Sequence, residues 1–120
     1  MKILEFSFVA YPVTDIARAR DFYEGTLGLT RPAKPTDHES AWFEYEIGPH
    51  TLSIGKHPTM KPSSDGPCVA LEVEDFDAAV ARLKERNARF LMEPIQTPVC
   101  RMALILDPDG NKIIVHKRNA

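Results

Sequence analysis

The segment FVAYPVTDIARARDFYEGTLGLT, residues 8–30, lies over CVALEVEDFDAAVARLKERNARF, residues 68–90, at a constant offset of 60 in a chain of 120. The overlay matches Val9 with Val69, Ala10 with Ala70, Val13 with Val73, Asp15 with Asp75 and Ala19 with Ala79. A period of half the chain predicts two copies of one structural unit. In each copy a run of β-formers ends at an aspartate, a favoured helix N-cap because its carboxylate accepts free N–H groups of the first turn. The second cap precedes Phe76, Ala79, Val80 and Leu83, spaced i, i+3, i+4 and i+7, with Lys84, Glu85 and Arg86 on the other side. That pattern predicts a surface helix with one buried stripe. The first predicts the same, with Ile16, Ala19, Phe22, Tyr23 and Leu27 as the stripe and the glycines of GTLGLT ending it.

Three β-like segments follow each helix. In the first half they are a short run near Leu29–Ala33, then SAWFEYEI, then TLSIGK beyond the Gly48-Pro49 turn. In the second they are RFLMEPI, RMALIL and KIIVHK, the last two joined by DPDGN. Each half reads β-α-β-β-β, an α+β arrangement. The modules span about 1–57 and 68–120 of a single domain 1–120, joined by a Pro/Ser/Gly-rich linker, 58–67.

Alternation along strands assigns the faces. Val69, Leu71 and Val73 belong under the helix, as do Ile113, Val115, Leu52 and Ile54. The opposite face receives Cys68, Ala70, Glu72, Lys112, Ile114, His116, Thr51 and Ser53. Pairing across Gly48-Pro49 sets Glu44 opposite Ser53 and Glu46 opposite Thr51, and the 60-residue register adds Phe8 and Ala10. A face that mixes Phe8, Trp42 and Ile114 with Glu44, Ser53, Cys68, Glu72 and His116 has the composition of a ligand pocket. These eight residues are the expected pocket.

Composition narrows the partners. The chain is 43% hydrophobic and 27% charged, with net charge −2 and a pI near 6.1, which leaves no basic face for nucleic acid or anionic lipid. No window approaches the ~18 apolar residues of a transmembrane helix, and no signal-peptide pattern opens the chain. Cys68 and Cys100 lack CxxC spacing, so a cytoplasmic, thiol-reduced protein is expected. His38, His50 and His57 fall in loops or at strand ends without HxH or HExxH spacing, and no GxSxG, phosphate loop or dinucleotide fingerprint occurs.

The tandem halves, VTDIARARDFYEGTLGL and LDPDGNKIIV resemble the vicinal oxygen chelate superfamily, the glyoxalase/bleomycin resistance/extradiol dioxygenase family, over nearly the whole chain. The resemblance implies a cupped mixed sheet of two βαβββ units with helices on the outer face, and a homodimer. In metal-dependent members it implies a divalent ion held by four side chains, whose positions fall here on Phe8, Ser53, Cys68 and Ile114. Phe8 and Ile114 carry no donor atom, and such ions need three or more oxygen or nitrogen ligands. No metal or other cofactor is expected. A metal-free protein that binds a small, partly aromatic molecule, antibiotic-like or metabolite, on Trp42, Phe8 and Tyr45 is the first reading, Trp42 having the better parity. The alternative is a lyase, isomerase or dioxygenase-type enzyme with a rebuilt site, its candidate catalytic residues His116, Glu44 and Cys68, His116 pairing with Glu44 or Glu72. A domain kept only for protein association is a third reading. Arg101 is a weaker candidate, as a clamp for a carboxylate. The sequence leaves open the ligand, any reaction, and whether the pocket closes within one chain or between two.

Overall fold

A computed structural model describes residues 1–30 and 41–120, which form two compact units, Met1–Pro62 and Ser63–Ala120. The first contains β1 (Val9–Pro12), helix α1 (Ile16–Arg20) continued by a π-helical turn (Asp21–Thr26), β2 (Trp42–Ile47) and β3 (His50–Gly55). The second contains β4 (Val69–Glu72), α2 (Phe76–Glu85), β5 (Arg89–Gln96), β6 (Cys100–Leu106) and β7 (Lys112–Arg118).

Each unit builds its own mixed sheet. In the first, the order is β1-β3-β2, with β1 parallel to β3 and β2 antiparallel to it. In the second, the order is β4-β7-β6-β5, again with one parallel pair, β4 with β7. The internal repeat survives in the register: Ala10 pairs with Ser53 as Ala70 pairs with Ile114. Val13 N–H donates to the Gly55 carbonyl, and Val73 N–H to that of His116, both at 2.9 Å. Ser53 therefore corresponds to Ile114, and Gly55 to His116. Of the expected strand near Leu29–Ala33, residues 31–33 lie outside the described residues, and Leu29 and Thr30 are irregular.

Both caps form as expected: Asp15 accepts the Arg18 N–H and Asp75 the Ala78 N–H, each at 3.0 Å. Asp75→Ala leaves an orphan donor at the head of α2, so a fall of about 1 kcal/mol in unfolding free energy is expected from denaturant titration. Phe76 and Leu83 of α2 are buried with Ile105, Ile113 and Val115, and burying each such side chain contributes roughly 1.5–3 kcal/mol.

The first helix departs from the expected regular stripe. Leu27 N–H bonds the carbonyl of Phe22, five residues back, which is the π pattern. A wider turn rotates the chain less per residue, so the adjacent Phe22 and Tyr23 can both point inward. They meet edge to face at 5.1 Å between ring centres, and both are buried. The turn also sets Glu24 against Arg20 (2.8 Å) and against the Tyr45 hydroxyl, which donates to it at 2.9 Å. Tyr45 is 0% exposed and lies near Tyr23, with ring centres 6.3 Å apart. Burial, then the bond to Glu24, raises its phenol above the ordinary range. The expectation that Tyr45 contacts a ligand is thus corrected, because odd residues of β2 face the helix.

Candidate functional site

The expected face of the first sheet comes together around Trp42. Strand register places Trp42 opposite Gly55, Glu44 opposite Ser53 and Glu46 opposite Thr51. The indole lies directly over Gly55: a Cβ there would sit 2.3 Å from Cε3 of Trp42. No other residue leaves room for this ring position, since every other side chain begins with that atom. Indole Nε1–H donates to Glu44 Oε2 at 3.3 Å, and Phe8 stands edge-on to the ring at 5.7 Å and 85°. Phe8 precedes β1 and is 49% exposed, so the aromatic pair is open to solvent on one side.

Ser53, expected to line the pocket, is 0% exposed, and its Oγ has no hydrogen-bond partner among the described residues. An unmet buried hydroxyl costs on the order of 1–3 kcal/mol.

In the second sheet the same face carries Ala70, Ile114, Met102 and Leu104, with Glu72 and His116 at one end. His116 Nδ1 lies 2.6 Å from Glu72 Oε1, and the Arg118 N–H donates to Glu72 Oε2 at 2.7 Å. With the carboxylate ionised, Nδ1 is the donor, which leaves Nε2 able to accept a proton. Of the two carboxylates expected beside His116, Glu72 is the one it bonds. The Arg118 amide, followed by the His116 ring, holds the Glu72 carboxyl below the usual carboxylate range. A depressed folded-state value means that these bonds stabilise the fold above the ordinary carboxylate range and are lost as pH falls through the lowered value. Carboxyl NMR is expected to place the Glu72 midpoint below that of free glutamate. Because the Arg118 amide contributes most, His116→Ala should raise it only part of the way; a midpoint at the free value in the unaltered protein contradicts this geometry.

Other candidates fall elsewhere. Cys68 is half-buried with a free thiol and precedes β4. Arg101 is bound to Asp77 at 2.7 Å and lies over the Phe76 ring at 4.6 Å, so its guanidinium is engaged on the helix side. His38 lies outside the described residues. Gly55, Met102 and Leu104 were not among the expected site residues. Counting pairs across the Gly48-Pro49 and DPDGN turns would have placed all three, since Gly55 pairs with Trp42, Met102 with His116 and Leu104 with Ile114. No helix among the described residues is long and apolar enough to cross a membrane.

Residues 5–115 match the Glyoxalase/Bleomycin resistance protein/Dioxygenase superfamily, and the chain belongs to that family. Its two mixed sheets with helices are the family's α+β fold. It is 32% identical to TnmS3, an antibiotic binding protein from Streptomyces sp. CB03234, with a TM-score of 0.81 and 99% of each chain covered. A glyoxalase/bleomycin resistance protein from the same organism is also 32% identical, covering 92% of this chain and 97% of its own, with a TM-score of 0.74. Among curated proteins, the anthracycline biosynthesis protein DauV of Streptomyces sp. (strain C5) is 33% identical over 103 residues, 80% of this chain. The chain spans only 35% of the length of DauV.

Proposed function

We propose that this protein binds a small, partly aromatic molecule, antibiotic-like or a metabolite, by stacking and burial on the Trp42 face and without a resident metal ion. The observation that carries this is the indole held flat over Gly55, fixed by Glu44 and flanked by a half-exposed Phe8. Such a surface is preset for a flat ring, and an aromatic pair contributes about 0.5–1.5 kcal/mol beyond area burial. The likeness to an antibiotic binding protein and to an anthracycline biosynthesis protein supports the ligand class. On the first sheet the ligand-facing residues of this proposal are Phe8, Trp42 and Glu44, with the buried Ser53 paired to Glu44 beneath them; Cys68, Glu72, Ile114 and His116 hold the corresponding positions on the second sheet.

Donor chemistry supports the metal-free part. Ile114 sits between Ala70 and Leu104, Phe8 offers no ligand atom, and a serine hydroxyl with one cysteine thiol is a poor set for a divalent ion. Among the described residues no three His, Cys, Asp or Glu side chains gather as a metal-holding group. Homodimerisation and a cytoplasmic location belong to the same proposal; the exposed apolar Leu91, Ile95 and Val99 of the β5 edge and its turn favour self-association. Sedimentation at twice the 13.5 kDa chain mass is the expected result. A thermal-shift screen of aromatic antibiotics tests the binding: a ligand at 100 times its Kd stabilises by about 2.7 kcal/mol. No shift with any aromatic compound contradicts it.

The Glu72–His116 pair, at 2.6 Å, favours one second reading, proton transfer in an enzyme of the lyase or isomerase kind. Under that reading His116→Ala abolishes turnover of a bound compound; under the binding reading there is no turnover to lose.

A further inference from the structure

We propose that the first unit carries a second binding site, for a small amphipathic anion, in a groove between the end of β1 and residues 56–62. The groove has a volume of about 480 Å³, within the range of small-molecule sites. Val13, Pro58, Met60 and Pro62 give it a mostly apolar lining, and Lys56 and Lys61 stand on it. It shares no residue with the Trp42 face.

Its shape is fixed by the protein's own bonds. Val13 is 2% exposed and anchored by its N–H to the Gly55 carbonyl. Lys56 N–H bonds the Ala41 carbonyl at 2.8 Å, and Met60 N–H closes a turn on the His57 carbonyl at 3.1 Å. The Thr59 N–H donates to Nδ1 of His57, which locks that ring within the loop. A preformed wall lowers the ordering cost of binding.

Charge selects the ligand. Neither lysine ammonium has an ion-pair partner among the described residues. Arg18 donates to the Thr14 hydroxyl at 3.2 Å, bringing a third cation to the Thr14 side. Among the described residues no carboxylate lines the groove; Asp15, next along the chain, accepts the Arg18 N–H as the helix cap. Apolar walls with the ammonium groups of Lys56 and Lys61 beside them fit a carboxylate, sulfonate or phosphate on a hydrocarbon or aryl body.

The test is an NMR titration with 1-naphthalenesulfonate, reading the Met60 methyl for the groove and the Trp42 indole N–H for the other face. The two probes separate failure of this proposal from failure of the Trp42 site. The Met60 methyl is expected to move saturably, the paired exposed substitutions Lys56→Glu and Lys61→Glu to weaken that binding at least tenfold, and neutral 1-naphthalenemethanol to bind at least tenfold less tightly. An unmoved Met60 methyl overturns the proposal. So does a shift that survives the charge reversal or is matched by the neutral compound.

Discussion

Asp107→Ala is expected to lower the unfolding free energy by about 3 kcal/mol, a large share of the 5–15 kcal/mol typical of a domain. Asp107 is 0% exposed although charged. One carboxylate oxygen accepts the N–H groups of Asp109 and Asn111, both at 2.9 Å, and the other accepts the Asn111 side-chain amide at 2.8 Å. Its carbonyl takes the Gly110 N–H and an Arg89 guanidinium N–H. Alanine removes both acceptor oxygens and the three hydrogen bonds they accept, and leaves the donors facing a place water reaches poorly. Asp107→Asn keeps one acceptor oxygen but turns an amide toward the Asn111 amide, so an intermediate loss is expected. Thermal unfolding with a midpoint about 10 °C lower for the alanine variant is the corresponding shift. A variant within 0.5 kcal/mol of the parent would mean that the turn is held by its backbone alone.

Gly55→Ala is expected to weaken aromatic ligands at least tenfold, about 1.4 kcal/mol. The new methyl would lie 2.3 Å from Trp42 Cε3 and 2.6 Å from Cζ3, so the indole has to leave the sheet. Its bond to Glu44 and its edge contact with Phe8 go with it. The chain has a single tryptophan, so emission reports this ring alone. A red-shifted maximum and easier acrylamide quenching should appear before any ligand is added. Trp42→Ala should match Gly55→Ala in lost affinity, because both remove the same platform. Unchanged binding in either variant would take Trp42 out of the site.

The repeated strand, capped helix and turn-linked strand pair were legible because their signals are local: alternation, two capping aspartates and the turn residues of Gly48-Pro49 and DPDGN. Register followed from the turns, which is why Glu44 was paired with Ser53 correctly. Less visible was anything set by packing between elements. The π-turn arises because Phe22 and Tyr23 are both drawn into the interior, and periodicity assumes a regular 3.6-residue helix. Tyr45 looked like a ligand contact as an aromatic residue in the right strand, yet parity sends it to Glu24 and Tyr23. Ser53 was placed on the correct face, but its complete burial depends on neighbours that no alternation rule counts. Gly55 was passed over since a strand glycine has no side chain to argue from; its role is to leave space. His116 was identified with two possible partners, and the parallel pairing of β4 with β7 puts Glu72 beside it.

The central claim is that the ligand is held by the Trp42 face without a metal ion. It is tested most directly by titrating an anthracycline into protein stripped with EDTA while following Trp42 fluorescence, with elemental analysis of the same sample. The expected result is saturable quenching at one ligand per chain, at the same affinity before and after stripping and with no stoichiometric Mn, Fe, Ni or Zn. Quenching that vanishes on stripping and returns with one equivalent of a divalent ion would contradict it.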